Sequence, residues 1–181
     1  MDIYVTSDPW PHFGHVGICK FLRPDNTKVR PWDTYEEMDE ELVKRFNETV
    51  KPNDKLYILG DVAINRRALP TLARLHCKDM VLIKGNHDIF RLNEYTPYFR
   101  DIRAYHVQQN VLLSHIPIHP CEMSRWSGQL HGHLHTNVVM NGDVPDTRYV
   151  NVCVEHHDFR PVLLNDMIAL VKELNNSWRS T

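Results

Sequence analysis

Side chains able to bind a metal fall into short clusters along this chain. They are Asp8 and His12, then Asp61, Asn86 with His87 and Asp88, His115, and His133 with His135. Carboxylate oxygen and neutral imidazole nitrogen together suit Zn, Fe, Mn or Ni rather than Ca or a thiolate-bound metal. Asp8, His12, Asp61, Asn86, His115, His133 and His135 are more ligands than one ion takes. They suit two divalent transition-metal ions sharing a carboxylate. Two such ions about 3.5–4 Å apart can clamp the attacking and leaving oxygens of a displacement at phosphorus. A structural zinc site would instead use about four ligands, commonly including Cys.

The clusters need elements to aim them. Ile3-Tyr4-Val5, Leu56-Tyr57-Ile58-Leu59, Met80-Val81-Leu82-Ile83 and Val111-Leu112-Leu113 are short apolar runs, and each stops at a polar cluster. Such runs read as buried strands. Between the strands, Thr34-Tyr35-Glu36-Glu37 is a capping box, followed by Met38, Leu42 and Phe46 at helical spacing to about Val50. Pro52-Asn53-Asp54 then turns the chain. Shorter helices are expected over 66–75 and 165–174, and a strand over 149–154. Strands alternating with helices predict an α/β architecture, with a second sheet in the strand-rich later part. In such sheets ligands gather at the C-terminal ends of the strands, where all these clusters lie. Gly60, Gly85 and Gly132 directly precede ligand motifs, and the expectation is that each supplies a positive φ.

The ordered set Asp8…His12, Gly60-Asp61, Gly85-Asn86-His87-Asp88, Ser114-His115 and Gly132-His133-Leu134-His135 resembles the calcineurin-like metallophosphoesterases. The resemblance covers about residues 1–160. Tyr35 to Glu40, Val50 to Asp54 and Asn151 to Glu155 look like a small, compact bacterial and phage-type branch. The resemblance implies a two-sheet β-sandwich flanked by helices, a four-layer αββα arrangement. It implies that Asp8, His12 and His135 bind one metal and Asn86, His115 and His133 the other, with Asp61 bridging. His87 would assist the leaving group or steady the phosphoryl oxygens. One motif departs from the pattern: the usual Asp-x-His is lengthened to Asp8-Pro9-Trp10-Pro11-His12. Either the loop bulges so that His12 still reaches a metal, or another group takes its place. The continuation His12-Phe13-Gly14-His15 favours His12.

The implied activity is hydrolysis of a small or nucleotide-like phosphoester, by a phosphodiesterase or phosphatase using metal-activated water. The alternative is a catalytically silent scaffold of the same fold that binds a protein; such a scaffold should lose ligands or the motif histidine.

Composition sets the outer limits. With 181 residues, 42% hydrophobic and 24% charged, the chain suits one globular domain over 1–181. A net charge of −2 argues against an extended nucleic-acid surface. No apolar run approaches a membrane span, and no signal peptide is seen at the N-terminus. A cytoplasmic protein is expected, its four cysteines free and buried. Of its 12 histidines, His76, His106, His131, His156 and His157 are expected to be structural, and Asp88 is either a support of the ligand loop or a plain turn residue, the second being favoured. Arg125 and Arg160 are expected at the surface.

Overall fold

The computed structural model describes residues 1–9 and 17–179, with side chains through residue 175. It is a mixed α/β fold. Its first sheet contains β1 (Ile3–Thr6), β2 (Lys55–Ile58), β3 (Asp79–Ile83) and β4 (Asp101–Arg103), all parallel. A late strand, Val162–Leu163, closes its edge antiparallel to β1. The second sheet contains β5 (His106–Gln108), β6 (Val111–Leu113), β7 (Gln129–His131) and β10 (Tyr149–Asn151), in the order β10-β7-β6-β5. Within it β6, β7 and β10 run parallel, and β5 pairs antiparallel with β6. A small hairpin, β8 (Met140–Asn141) with β9 (Val144–Pro145), stands apart from both.

Side-chain alternation divides the apolar interior in two. Leu56, Ile58, Met80 and Leu82 point from β2 and β3 into a cluster with Met38, Leu42 and Phe46. Those last three belong to α1 (Tyr35–Thr49), which starts where Thr34 accepts a hydrogen bond from Glu37 N–H at 3.2 Å. Val5, Tyr57, Val81 and Ile83 point the other way, toward Val111, Leu113, Leu130 and Val150 of the second sheet. Leu164, Ile168 and Val171 of the C-terminal helix, Leu164–Arg179, join that second cluster. Because both faces of the first sheet are covered, its strands read as unbroken apolar runs. Each buried Leu or Ile adds about 1.5–3 kcal/mol.

Two expected elements differ. The helix expected over 66–75 is a 3-10 helix, Arg66–Arg74, with Pro70 inside it. Proline lacks the N–H and crowds the preceding turn, so a regular α-helix is disfavoured there. The strand expected over 149–154 stops at Asn151, whose side-chain oxygen accepts from Cys153 N–H at 2.8 Å and bends the chain. A 3-10 turn, Val154–His156, follows and carries the Glu155 side chain inward. No helix among the described residues is long and apolar enough to cross a membrane.

Candidate metal centre

Five of the motif clusters lie just past strand ends: Asp8 after β1, Asp61 after β2, Asn86 after β3, His115 after β6, and His133 with His135 after β7. The two sheets are stitched together at this place. Ser7 N–H donates to Val152 C=O at 2.9 Å, and Val154 N–H donates to Ser7 C=O at 3.1 Å. That seam brings ligands from both sheets to one spot.

Asp61, His115 and His133 offer ligand atoms that all lie within 4.8 Å of one another. The His115 ring is held at Nδ1, 2.7 Å from the Leu59 carbonyl, which places the proton on Nδ1. Its Nε2 then faces Asn86 Oδ1 at 2.9 Å and Asp61 Oδ2 at 3.3 Å. A proton on Nε2, or a cation between them, would satisfy both oxygens at once. Burial alone would depress the His115 pKa, but Asp61 and Asp8 outweigh it and raise it to about 8. Burial and the neighbouring His115 both lower His133.

Asp8 is fully buried and its two oxygens differ. Oδ2 takes Ser7 Oγ at 2.6 Å, His133 N–H at 2.8 Å and the Cys153 thiol at 3.1 Å. Oδ1 is buried without a hydrogen-bond partner and lies 3.9 Å from His135 Nε2. Two ligands of one ion, each about 2.1 Å from it, stand about 3–4 Å apart. An orphaned carboxylate oxygen facing a bare imidazole nitrogen at that spacing fits a shared cation.

The loops are tight. Asp8, Asp61, His133 and His135 themselves take positive φ, at 49°, 55°, 70° and 50°. This corrects the expectation for the glycines, since only Gly60 (φ 84°) of the three takes a positive φ. Gly85 and Gly132 are required for space: a Cβ on Gly85 would overlap Asp61 Oδ1, and one on Gly132 would overlap Ser7 and Asp8. Left-handed backbone at four ligand-type residues costs on the order of 1–3 kcal/mol each, strain of a kind concentrated at functional sites.

Partners behind the ligands are well defined. The Asp88 carboxylate, buried, accepts the N–H groups of Asp61 (2.9 Å), Val62 (2.9 Å) and Gly85 (2.8 Å). Burial pushes its pKa up to about 6. It therefore braces the ligand loops, the less favoured of the two roles the sequence offered, and is not a plain turn residue. Asp61 Oδ1 accepts from His87 N–H at 2.8 Å, which ties the His87 backbone to the cluster.

On the other side, Glu155 Oε1 accepts from His135 Nδ1 at 3.0 Å and pairs with Arg30 at 2.7 Å. Burial alone would raise the Glu155 pKa, but Arg30 and His135 hold it down at about 2. Arg30, also fully buried, donates to the carbonyls of Asp8 (2.8 Å) and Pro9 (3.2 Å). His156 Nε2 lies 2.7 Å from the His135 carbonyl, and Asn151 donates to the same carbonyl at 2.9 Å.

Asp8, Asp61, Asn86, His115, His133 and His135 are thus brought together. His12, with Trp10 and His15, lies outside the described residues. Sequence reasoning assigned no role to Arg30, Cys153 or Glu155. The last two sit in the Asn151–Glu155 stretch noted for its resemblance, whereas a lone arginine between Val29 and Pro31 carries little signal. His131 and His157 are structural as expected, bonded to the carbonyls of Gly132 and Asn151. His106 stacks on Tyr57. Cys19, Cys77 and Cys153 are buried, but Cys121 is exposed, against expectation.

The fold and its buried Asp/His cluster define a mixed α/β protein with a candidate metal centre where its two sheets meet. Among proteins similar to it, the uncharacterized protein MJ1445 of Methanocaldococcus jannaschii is 29% identical over 180 residues, spanning 94% of this chain and 92% of the relative. A crystal structure of a protein of unknown function, AQ665 from Aquifex aeolicus, superimposes with a TM-score of 0.67 at 23% identity. It covers 93% of this chain and 98% of its own, a likeness of fold. No family model matches the chain.

Proposed function

We propose that this protein is a phosphoester hydrolase that works with two divalent transition metals at the cluster, on the four-layer sandwich of the calcineurin-like metallophosphoesterases. The observation that carries the reading is the meeting of two donor sets around the buried Asp8, Asp61 and His115. Asp61, Asn86, His115 and His133 form one, and the orphaned Asp8 Oδ1 with His135 Nε2 forms the other. Donors of this chemistry, without thiolate, fit Mn, Fe, Zn or Ni. Ions held there would act as Lewis acids toward a phosphoryl oxygen and lower the pKa of a bound water.

The chain's own groups do the rest. Leu59 C=O and Glu155 each hold one nitrogen of His115 and His135, so that the other is presented to the centre. Asp88 fixes the backbone on either side of the Asp61 carboxylate. His87, whose backbone N–H is anchored to Asp61, would donate a proton to a leaving oxygen.

The test is metal content followed by turnover. Elemental analysis should find close to two transition-metal ions per chain, and chromogenic phosphodiesters or phosphomonoesters should be hydrolysed only with metal present. His87→Ala should keep both metals and lower kcat by about 10²–10⁴-fold, less for esters with good leaving groups. Equal losses for good and poor leaving groups would remove the acid role. A protein that takes up no metal when metal is supplied, and stays inert toward both ester types, would remove the whole reading.

A further inference from the structure

A cavity of about 470 Å³ is bounded by the residues that follow β3, β4 and β6: Lys84, Ala104 with Tyr105, and Ser114 with His115. Arg125 and Trp126, at the end of the 3-10 helix Pro120–Arg125, line it as well. Leu112 joins them from β6. It alternates with Val111 and Leu113, which pack toward the first sheet, so its side chain points away from that sheet. The volume lies within the range of about 300–1,000 Å³ usual for small-molecule sites.

Hydrogen bonds set two of the walls before any ligand arrives. The buried Gln129 donates to Ser114 Oγ at 2.5 Å and to Ile116 C=O at 3.1 Å, and accepts from Ile118 N–H at 3.1 Å. Tyr149 O–H donates to Ile118 C=O at 2.9 Å. These bonds hold residues 114–118 in one shape. Lys84 N–H donates to Arg103 C=O at 2.9 Å, which keeps Lys84 beside Ala104 and Tyr105.

The lining leaves two needs unmet. Tyr105 and Ile116 are exposed, and Ile118 and Trp126 are half-buried, so the cavity presents apolar surface to water. Lys84 is half-buried, and its ammonium has no hydrogen bond or ion pair among the described residues. The other charged or basic groups of the lining are already matched. Arg125 pairs with Glu122 at 3.2 Å. The His115 ring is held at Nδ1 by Leu59 C=O and faces Asn86 and Asp61 through Nε2. One positive charge is therefore left over in a largely apolar lining. A single negative charge on an apolar body meets both needs. A phosphate dianion would bring one charge more than the walls neutralise, and an unmatched charge away from water is costly. We infer that this cavity binds a small apolar carboxylic acid, its carboxylate paired with Lys84 and its body against Tyr105, Ile116 and Trp126. The site adjoins the metal cluster through His115 but does not rest on the hydrolase reading.

Titration calorimetry of the full chain compares 3-phenylpropionate, indole-3-propionate and 4-methylpentanoate, each with its neutral amide, before and after treatment with chelator. At least one acid should bind about 10-fold more tightly than its amide, as a charge-assisted contact allows, and should do so with or without chelator. Lys84→Met keeps the aliphatic stem and removes the charge, so acid and amide should become equal. Lys84→Gln, polar but uncharged, should equalise them too, which keeps the charge test available if the methionine variant does not fold. Trp126→Ala should weaken acid and amide alike. Ile116→Trp, which places a large side chain into the cavity from an exposed position, should exclude both. No binding by any of these acids, or an acid preference that survives the loss of the Lys84 charge, overturns the site. A preference that disappears with chelator would put the carboxylate on a metal and overturns it equally.

Discussion

The two corners of the centre are built by different physics. At the Asp61 corner the support is backbone hydrogen bonding from near neighbours in the fold: one Asp88 carboxylate gathers three N–H groups, and Leu59 C=O holds His115. At the Asp8 corner the support is charge. Arg30 and Glu155, 125 residues apart, form a fully buried ion pair that holds both the Asp8–Pro9 carbonyls and the His135 ring. The first arrangement is tolerant, because each N–H bond is worth about 1 kcal/mol and the three share the load. The second is brittle, because a buried charge left without its partner is costly. It also adjoins the lengthened first motif, where Arg30 clasps the carbonyls of the residues that begin the insertion.

That contrast can be broken most directly at Arg30. Arg30→Ala leaves the buried Glu155 carboxylate with His135 as its charged partner alone, and should cost about 3–5 kcal/mol in chemical denaturation. It should also weaken metal at the Asp8–His135 side more than at the Asp61–His115 side, as read by metal stoichiometry. A variant that loses both sides equally would mean the corners are a single unit.

Asp88→Asn should cost less, about 1–3 kcal/mol, since an amide oxygen still accepts but with no charge and with fewer lone-pair directions. Here the Asp61 side should lose metal first. Thermal unfolding with and without chelator separates the stability loss from the loss of metal.

Acid sharpens the comparison. The Glu155 pKa is depressed to about 2 in the folded chain, against an unperturbed value near 4.5. Its contribution to stability is therefore complete above about pH 4.5 and disappears as the pH falls toward 2. Asp88 is shifted the other way, to about 6, so its ionisation works against folding above the unfolded carboxylate value. Metal-free protein followed by circular dichroism should thus show the Asp8 corner contributing to resistance between pH 4.5 and 2. In Glu155→Gln that contribution should be absent, flattening the pH dependence over this window.

The smallest expected effect is at Cys153. Burial pushes its thiol pKa well up, so it stays protonated and donates to Asp8 Oδ2. Cys153→Ser keeps a donor and should change stability by no more than about 1 kcal/mol, with metal content unaltered. A large loss of metal in that variant would show the sulfur to be more than a hydrogen-bond donor to Asp8.

Much of this molecule was written locally. The runs at Ile3, Leu56, Met80 and Val111 become strands because apolar residues that fill both faces of a parallel sheet must be contiguous. Thr34 caps α1 because a hydroxyl at that offset reaches the N–H of Glu37. The cluster residues, other than His12, could be picked out because metal-type side chains placed after strand ends leave a mark on short stretches of sequence. What only the tertiary structure decided is which side chains stand behind them. Arg30 meets Glu155 across 125 residues, and Asp88 reaches two loops at once. Burial and hydrogen bonding of that kind arise only when the two sheets close on each other. The division between Gly60, needed for its φ, and Gly85 and Gly132, needed for room, was likewise settled by neighbours distant in the chain. Local spacing determines which residue types can act together, whereas the charge and space around each one come from packing that no short stretch encodes.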